Sequence, residues 1–182
     1  MKSNYKQAPG FTLPELLVTM AVITALATGG TSTMTWLIQE NRMIAEINRF
    51  VTVLQLARNE SVKRASRIVL CPSADGENCG TSREWNSGWI LFRSNDRERD
   101  ADEPLIQRGA SLQTGIELHA SNHRKRIIYQ QDGSSGGSNS SFTFCDSHGK
   151  AKPRVICLSN TGRPRLSRTR CNGKPIDCST YI

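Results

Sequence analysis

From Leu16 to Gln39 no side chain carries a charge, and the residue directly before that run is an acid, Glu15. At about 1.5 Å per residue the run makes roughly 36 Å of helix, longer than the ~30 Å hydrocarbon layer of a bilayer. The rest of the chain has to fold behind it. Lys2 and Lys6 precede it, which favours a start held on the cytoplasmic side of a membrane. An ordinary secretory signal is the competing reading, because Ala25-Leu26-Ala27 has the A-x-A form of a cleavage site. Against that reading, apolar residues resume at Met34, Trp36, Leu37 and Ile38, and a signal core seldom opens with Pro-Glu.

The residues at the mouth of the run, Gly10 followed by Phe11-Thr12-Leu13-Pro14-Glu15-Leu16, resemble the processing site of type IV prepilins and pseudopilins. The resemblance implies a prepilin peptidase that cuts between Gly10 and Phe11 and N-methylates Phe11. It implies a leader over 1–10, a transmembrane and assembly helix over 11–39, and a pilin-like globular domain over 40–182. The protein would sit single-pass in the bacterial inner membrane, its globular domain in the periplasm, and then join other pilin subunits in a pilus at the cell surface. An acid at the bilayer centre costs about 2.5–3.5 kcal/mol on insertion scales and needs a partner. The family role of Glu15 supplies one, the new Phe11 amine of its own or a neighbouring subunit; Glu15 merely snorkelling to the interface is the simpler alternative. Pro14 is tolerated in a first helical turn, where its missing N–H has no partner to lose. Gly29-Gly30 is expected to weaken the helix, as a flexible stretch or as the exit from the membrane.

Beyond the run, Ile44, Ile47, Val51, Leu54 and Ala57 recur at helical spacing, predicting one amphipathic helix from Asn41 to about Ala65. Strand character follows at 67–71, 88–93, 116–120, 126–131, 141–145 and 154–159. The expected fold is α+β and pilin-like: a long N-terminal helix on an antiparallel sheet. The segment 94–104 reads as a charged turn, in which Asp96, Asp100, Asp102 and Glu103 only loosely suggest a calcium loop; 132–141 reads as a flexible hairpin connection.

Six cysteines, at 71, 79, 145, 157, 171 and 178, read as three disulfides in an exported protein, although six allow fifteen connectivities. The smallest loops come from the sequential pairing Cys71–Cys79, Cys145–Cys157 and Cys171–Cys178, which would staple the C-terminal tail. Tight C-x-x-C pairs are missing, so no metal is expected at Cys145-Asp146-Ser147-His148. His119, His123 and His148 are the only histidines. Asp146-Ser147-His148 are sequence neighbours, whereas a hydrolytic triad converges in space. Neither catalysis nor a cofactor is expected.

Charge is unevenly spread. Of the formal +8, the segment 149–182 holds +7, from eight bases against Asp177. A basic end of this kind meets something anionic or serves as a solvated tail. The blocks at 54–71, 88–107 and 157–167 are similar to the GspH/FimT family of minor pilins and pseudopilins. Gly162-Arg163-Pro164-Arg165 matches the Gly-Arg-x-Arg segment that FimT-like members use to bind DNA in natural transformation. Pro164 biases Arg163 toward an extended backbone, so Arg163 and Arg165 should face one way, with Arg168 and Arg170 as a second pair. Lys152, Arg154 and Lys174 complete the expected DNA-binding set, which would grip phosphate with little sequence preference. The alternative is a structural minor pilin or type II secretion pseudopilin with no DNA binding.

Overall fold

The computed structural model describes residues 10–81, 84–94, 105–121 and 124–179, and over 28–33 the backbone alone. The chain divides into two compact units, Met1–Ile38 and Gln39–Ile182. One helix, α1 (Leu13–Lys63), runs through both, so Gly29-Gly30 does not end it.

In the first unit α1 starts behind Thr12, whose carbonyl accepts the amides of Glu15 and Leu16 at 3.1 and 3.2 Å. Glu15 thus lies in the first turn, where negative charge suits the helix dipole. The hydroxyls of Thr19 and Thr24 donate to carbonyls of their own helix. This leaves a rod whose apolar side chains, from Leu13 through Leu26, are exposed all round. Among the described residues no helix is long and apolar enough to cross a membrane.

The second unit is built on the later part of α1. Met43, Ile47, Phe50, Leu54 and Ala57 are buried, at spacings of four and three, with Val53 beside them. The stripe is shifted from the expected one: Ile44 is exposed, and Met43 and Phe50 take the inner face. Phe50 is the centre of an aromatic cluster, with ring centroids 5.7 Å from Trp85, 5.0 Å from Phe142 and 6.0 Å from Phe144. Edge-on and tilted rings of this kind add to the burial of their area.

Among the described residues eight strands form two antiparallel sheets where the sequence suggested one. They are β1 (Ile68–Pro72), β2 (Trp89–Arg93), β3 (Leu105–Gly109), β4 (Ile116–Ala120), β5 (Ile127–Tyr129), β6 (Ser140–Asp146), β7 (Arg154–Leu158) and β8 (Pro164–Ser167). The orders are β3-β2-β1-β5 and β4-β6-β7-β8. The segment 132–141 therefore does not close a hairpin; it carries the chain from the first sheet to the second. Nor is it loose. Ser135 and Ser138 are buried, the Ser138 amide donates to the Ser135 carbonyl, and the Ser138 hydroxyl accepts from the Ile128 amide. The acidic positions 96, 100, 102 and 103 lie outside the described residues.

Alternation along the second sheet fixes its two faces. Ile116, Leu118, Phe142, Phe144, Ile156 and Leu158 belong to the main core. Ser141, Thr143, Cys145, Val155 and Cys157 occupy the intervening positions and form the outer face. The functional candidates gather on that outer face.

Candidate nucleic-acid interface

In the β7–β8 pair Leu158 lies opposite Pro164 and Cys157 opposite Arg165. The chain must therefore reverse over 159–163. Gly162 makes the reversal: its amide donates to the Ser159 carbonyl at 2.9 Å, and its φ is +76°. A Cβ there would also stand 2.1 Å from the Gly133 carbonyl oxygen and 3.1 Å from the Tyr129 ring. Left-handed backbone and close backbone approach both call for glycine. Ser135 completes the seat, donating its amide to the Asn160 carbonyl at 2.9 Å and its hydroxyl to the Ser159 carbonyl at 2.7 Å. The arginines thus leave from a turn held against the 130–138 connection.

Arg163 and Arg165 line one open groove of about 810 Å³ on the outer face of the second sheet, and Arg170 lines it too. Between them lie Ser141, Thr143 and Asn172, and among the described residues no carboxylate lines it. Guanidinium forks with hydroxyl and amide donors in one concavity suit phosphate oxygens. Sequence reasoning misses the hydroxyls of Ser141 and Thr143, although their alternation with the apolar Phe142 and Phe144 marks them as outer-face residues.

Arg170 reaches this groove through a disulfide that sequential pairing does not give. Cys71 bridges Cys79, but Cys157 pairs with Cys171 and Cys145 with Cys178, one bridge nested inside the other. Register explains the correction. Cys157 lies opposite Ser141, four residues along β6 from Cys145, or about 13 Å at strand rise, whereas a disulfide needs Cα atoms within roughly 7 Å. Both cysteines point to the outer face and capture the tail that crosses it. A tight turn there, with the Arg170 amide donating to the Lys174 carbonyl at 2.8 Å, sets Arg170 over the sheet.

The other expected cations lie elsewhere. Arg154 is mostly buried, paired with Glu40 of α1 at 2.8 Å, and it also donates to the Lys152 and Pro153 carbonyls. Its charge is neutralised within the fold. The Lys152 amide donates to the same Glu40 carboxylate at 3.0 Å, while its side chain is exposed. Arg168 and Lys174 are exposed and do not line the groove.

Asp146, Ser147 and His148 form a turn. Burial works to raise the Asp146 pKa, but the amides of Ala151, His148 and Lys150 donate to its carboxylate, outweigh that effect and hold it below the usual range. Ser147 donates to the Gly115 carbonyl at 3.3 Å. His119 lies 3.1 Å from Glu117, and position 123 lies outside the described residues. Among the described residues no group of three or more His, Cys, Asp or Glu is arranged to hold a metal. Gly10 and Phe11 are exposed ahead of α1.

Residues 46–162 match the family described as Type II transport protein GspH, and residues 6–31 match the prokaryotic N-terminal methylation motif. No curated protein shows a significant match to the chain. Among solved structures, the fold is similar to the type IV minor pilin FimU of Pseudomonas aeruginosa. Its TM-score is 0.58 at 16% identity, covering 71% of this chain and 90% of FimU. A second crystal form of FimU gives 0.53 at 16%, with 66% and 88% covered. The minor pseudopilin EpsH from the type 2 secretion system of Vibrio cholerae gives 0.50 at 10%, with 69% and 96% covered. At such identities the likeness is one of fold. The family match spans more than half the sequence, from the later part of α1 through β7 to Gly162 of the seated turn, so the chain belongs to the GspH family of type IV minor pilins and pseudopilins.

Proposed function

We propose that this chain is a FimT-like minor pilin that joins a type IV pilus and binds extracellular DNA for uptake in natural transformation. The observation that carries the proposal is the convergence of Arg163, Arg165 and Arg170 on one groove that no acid lines among the described residues. Affinity comes from charge, with weak sequence preference and a strong decline in salt. Few aromatics are at hand for base stacking, so the phosphate backbone is the part recognised. Its role is structural and recognitive, with no catalytic step.

The N-terminus serves delivery. A prepilin peptidase cuts between Gly10 and Phe11 and methylates Phe11, the helix over 11–39 holds the protein in the inner membrane, and Glu15 pairs with a Phe11 amine as subunits pack. The apolar side chains exposed from Leu13 through Leu26 support this, since lipid and neighbouring helices are surroundings that such a surface suits.

The test is electrophoretic retardation of duplex DNA by residues 39–182, which contain the whole core and all three disulfides. Wild type should retard DNA at low salt, and Arg163→Gln/Arg165→Gln should not. Equal retardation by the double variant would remove the groove from the account. A structural subunit without DNA binding is the second reading, favoured by the family description as a type II transport protein; absence of any retardation at low salt would select it.

A further inference from the structure

The groove has a neighbour on its helix side. Gln55, Arg58 and Asn59 of α1 line a second concavity, of about 330 Å³, together with Arg163 and Pro164. Spacings of three and four put the three helix residues on one face. That face and the seated turn approach closely. A Cβ on Gly133 would stand 3.2 Å from Arg58 Nε, and one on Gly162 would stand 2.1 Å from the Gly133 oxygen. The Arg58 side chain, the Gly133 backbone and the turn before Arg163 are therefore stacked against one another.

Among the described residues no ion pair links Arg58 to a carboxylate. Glu60, two residues on, is engaged by Arg64. Among the described residues neither concavity has an acid in its walls, and Arg163 lines both. Arg58, Arg163, Arg165 and Arg170 thus form one series of guanidinium groups running from the helix face to the stapled tail. A half-buried cation without a counter-charge is costly unless an anion arrives. Gln55 and Asn59 beside it can both donate and accept.

We infer that the DNA track does not stop at Arg163 but continues onto α1, with Arg58 gripping a further phosphate and Gln55 and Asn59 hydrogen-bonding oxygens of the same strand. This rests on the DNA-binding reading of the groove, and it adds phosphate-binding groups that lie outside both the Gly-Arg-x-Arg segment and the basic tail. Such groups set position along the backbone and carry little sequence information.

The experiment is a salt titration of duplex DNA binding by the full chain in a non-ionic detergent, read by fluorescence anisotropy. Taking away one phosphate-binding cation lowers the slope of log K against log salt by about 0.9. Arg58→Gln should lower it by about that amount, whereas Arg64→Gln, which removes a cation already paired with Glu60, should leave it unchanged. Gln55→Glu, an exposed change that leaves the Arg58 packing in place, should weaken binding by placing an acid in the concavity; it also serves should Arg58→Gln fail to fold. Wild-type slope and affinity in both Arg58→Gln and Gln55→Glu, with binding abolished in Arg163→Gln/Arg165→Gln, would overturn the extension and leave the groove standing. No binding by wild type would overturn both.

Discussion

Gly162 decides where two arginines point. Alanine there must adopt a left-handed backbone, at about 1–2 kcal/mol, and its methyl would press on the Gly133 carbonyl. Gly162→Ala is expected to lower the denaturant midpoint by more than the backbone penalty alone and, on the proposed function, to weaken DNA retardation because Arg163 leaves its seat. Asp146 makes a different prediction. Burial opposes its ionisation, but three amide donors outweigh that and depress its folded pKa. A depressed carboxyl stabilises fully above its unfolded value of about 3.9 and loses that contribution as pH falls through the folded one. Stability measured from pH 6 down to 2 should therefore fall on the acid side in wild type, and less steeply in Asp146→Asn.

Elements differ in how much of them the sequence reveals. The α1 stripe and strands such as β6 are legible because burial on one side imposes a period, and 142 and 144 alternate cleanly with 141 and 143. β3 and β8 are not: "LIQRG" and "PRLS" are short and polar and become strands only because β2 and β7 offer them an edge. Phe50 escapes notice because Ile44 and Val51 make an equally good helical pattern. Its burial among three aromatic rings predicts that Phe50→Ala costs about 3–5 kcal/mol in urea unfolding. The disulfides are hidden for another reason, since pairing follows strand register and register is a tertiary fact. Removing the inner bridge with Cys157→Ser/Cys171→Ser should cost about 3 kcal/mol, the entropy of closing a loop of about 15 residues. On the proposed function it should also weaken DNA binding, because Arg170 is then no longer held over the sheet.

The whole molecule concentrates its excess charge in 149–182 and its exposed apolar surface near the other end of the sequence. The first of these is visible as a count, and the Gly-Arg-x-Arg match locates two groove arginines, but the count does not separate Arg170 in the groove from Arg154 inside an ion pair. On the proposed function, Glu15→Ala should remain in the membrane fraction yet be missing from sheared pili on immunoblots; normal incorporation would exclude the pairing role. The nested bridges also set an order of events. As the chain emerges, Cys71 and Cys79 can close at once, but Cys145 and Cys157 are both out before either native partner. An oxidant acting early meets these two without their native partners and can link them to each other, so thiol exchange, more than oxidation, is expected to set how quickly Arg170 comes to lie over the sheet.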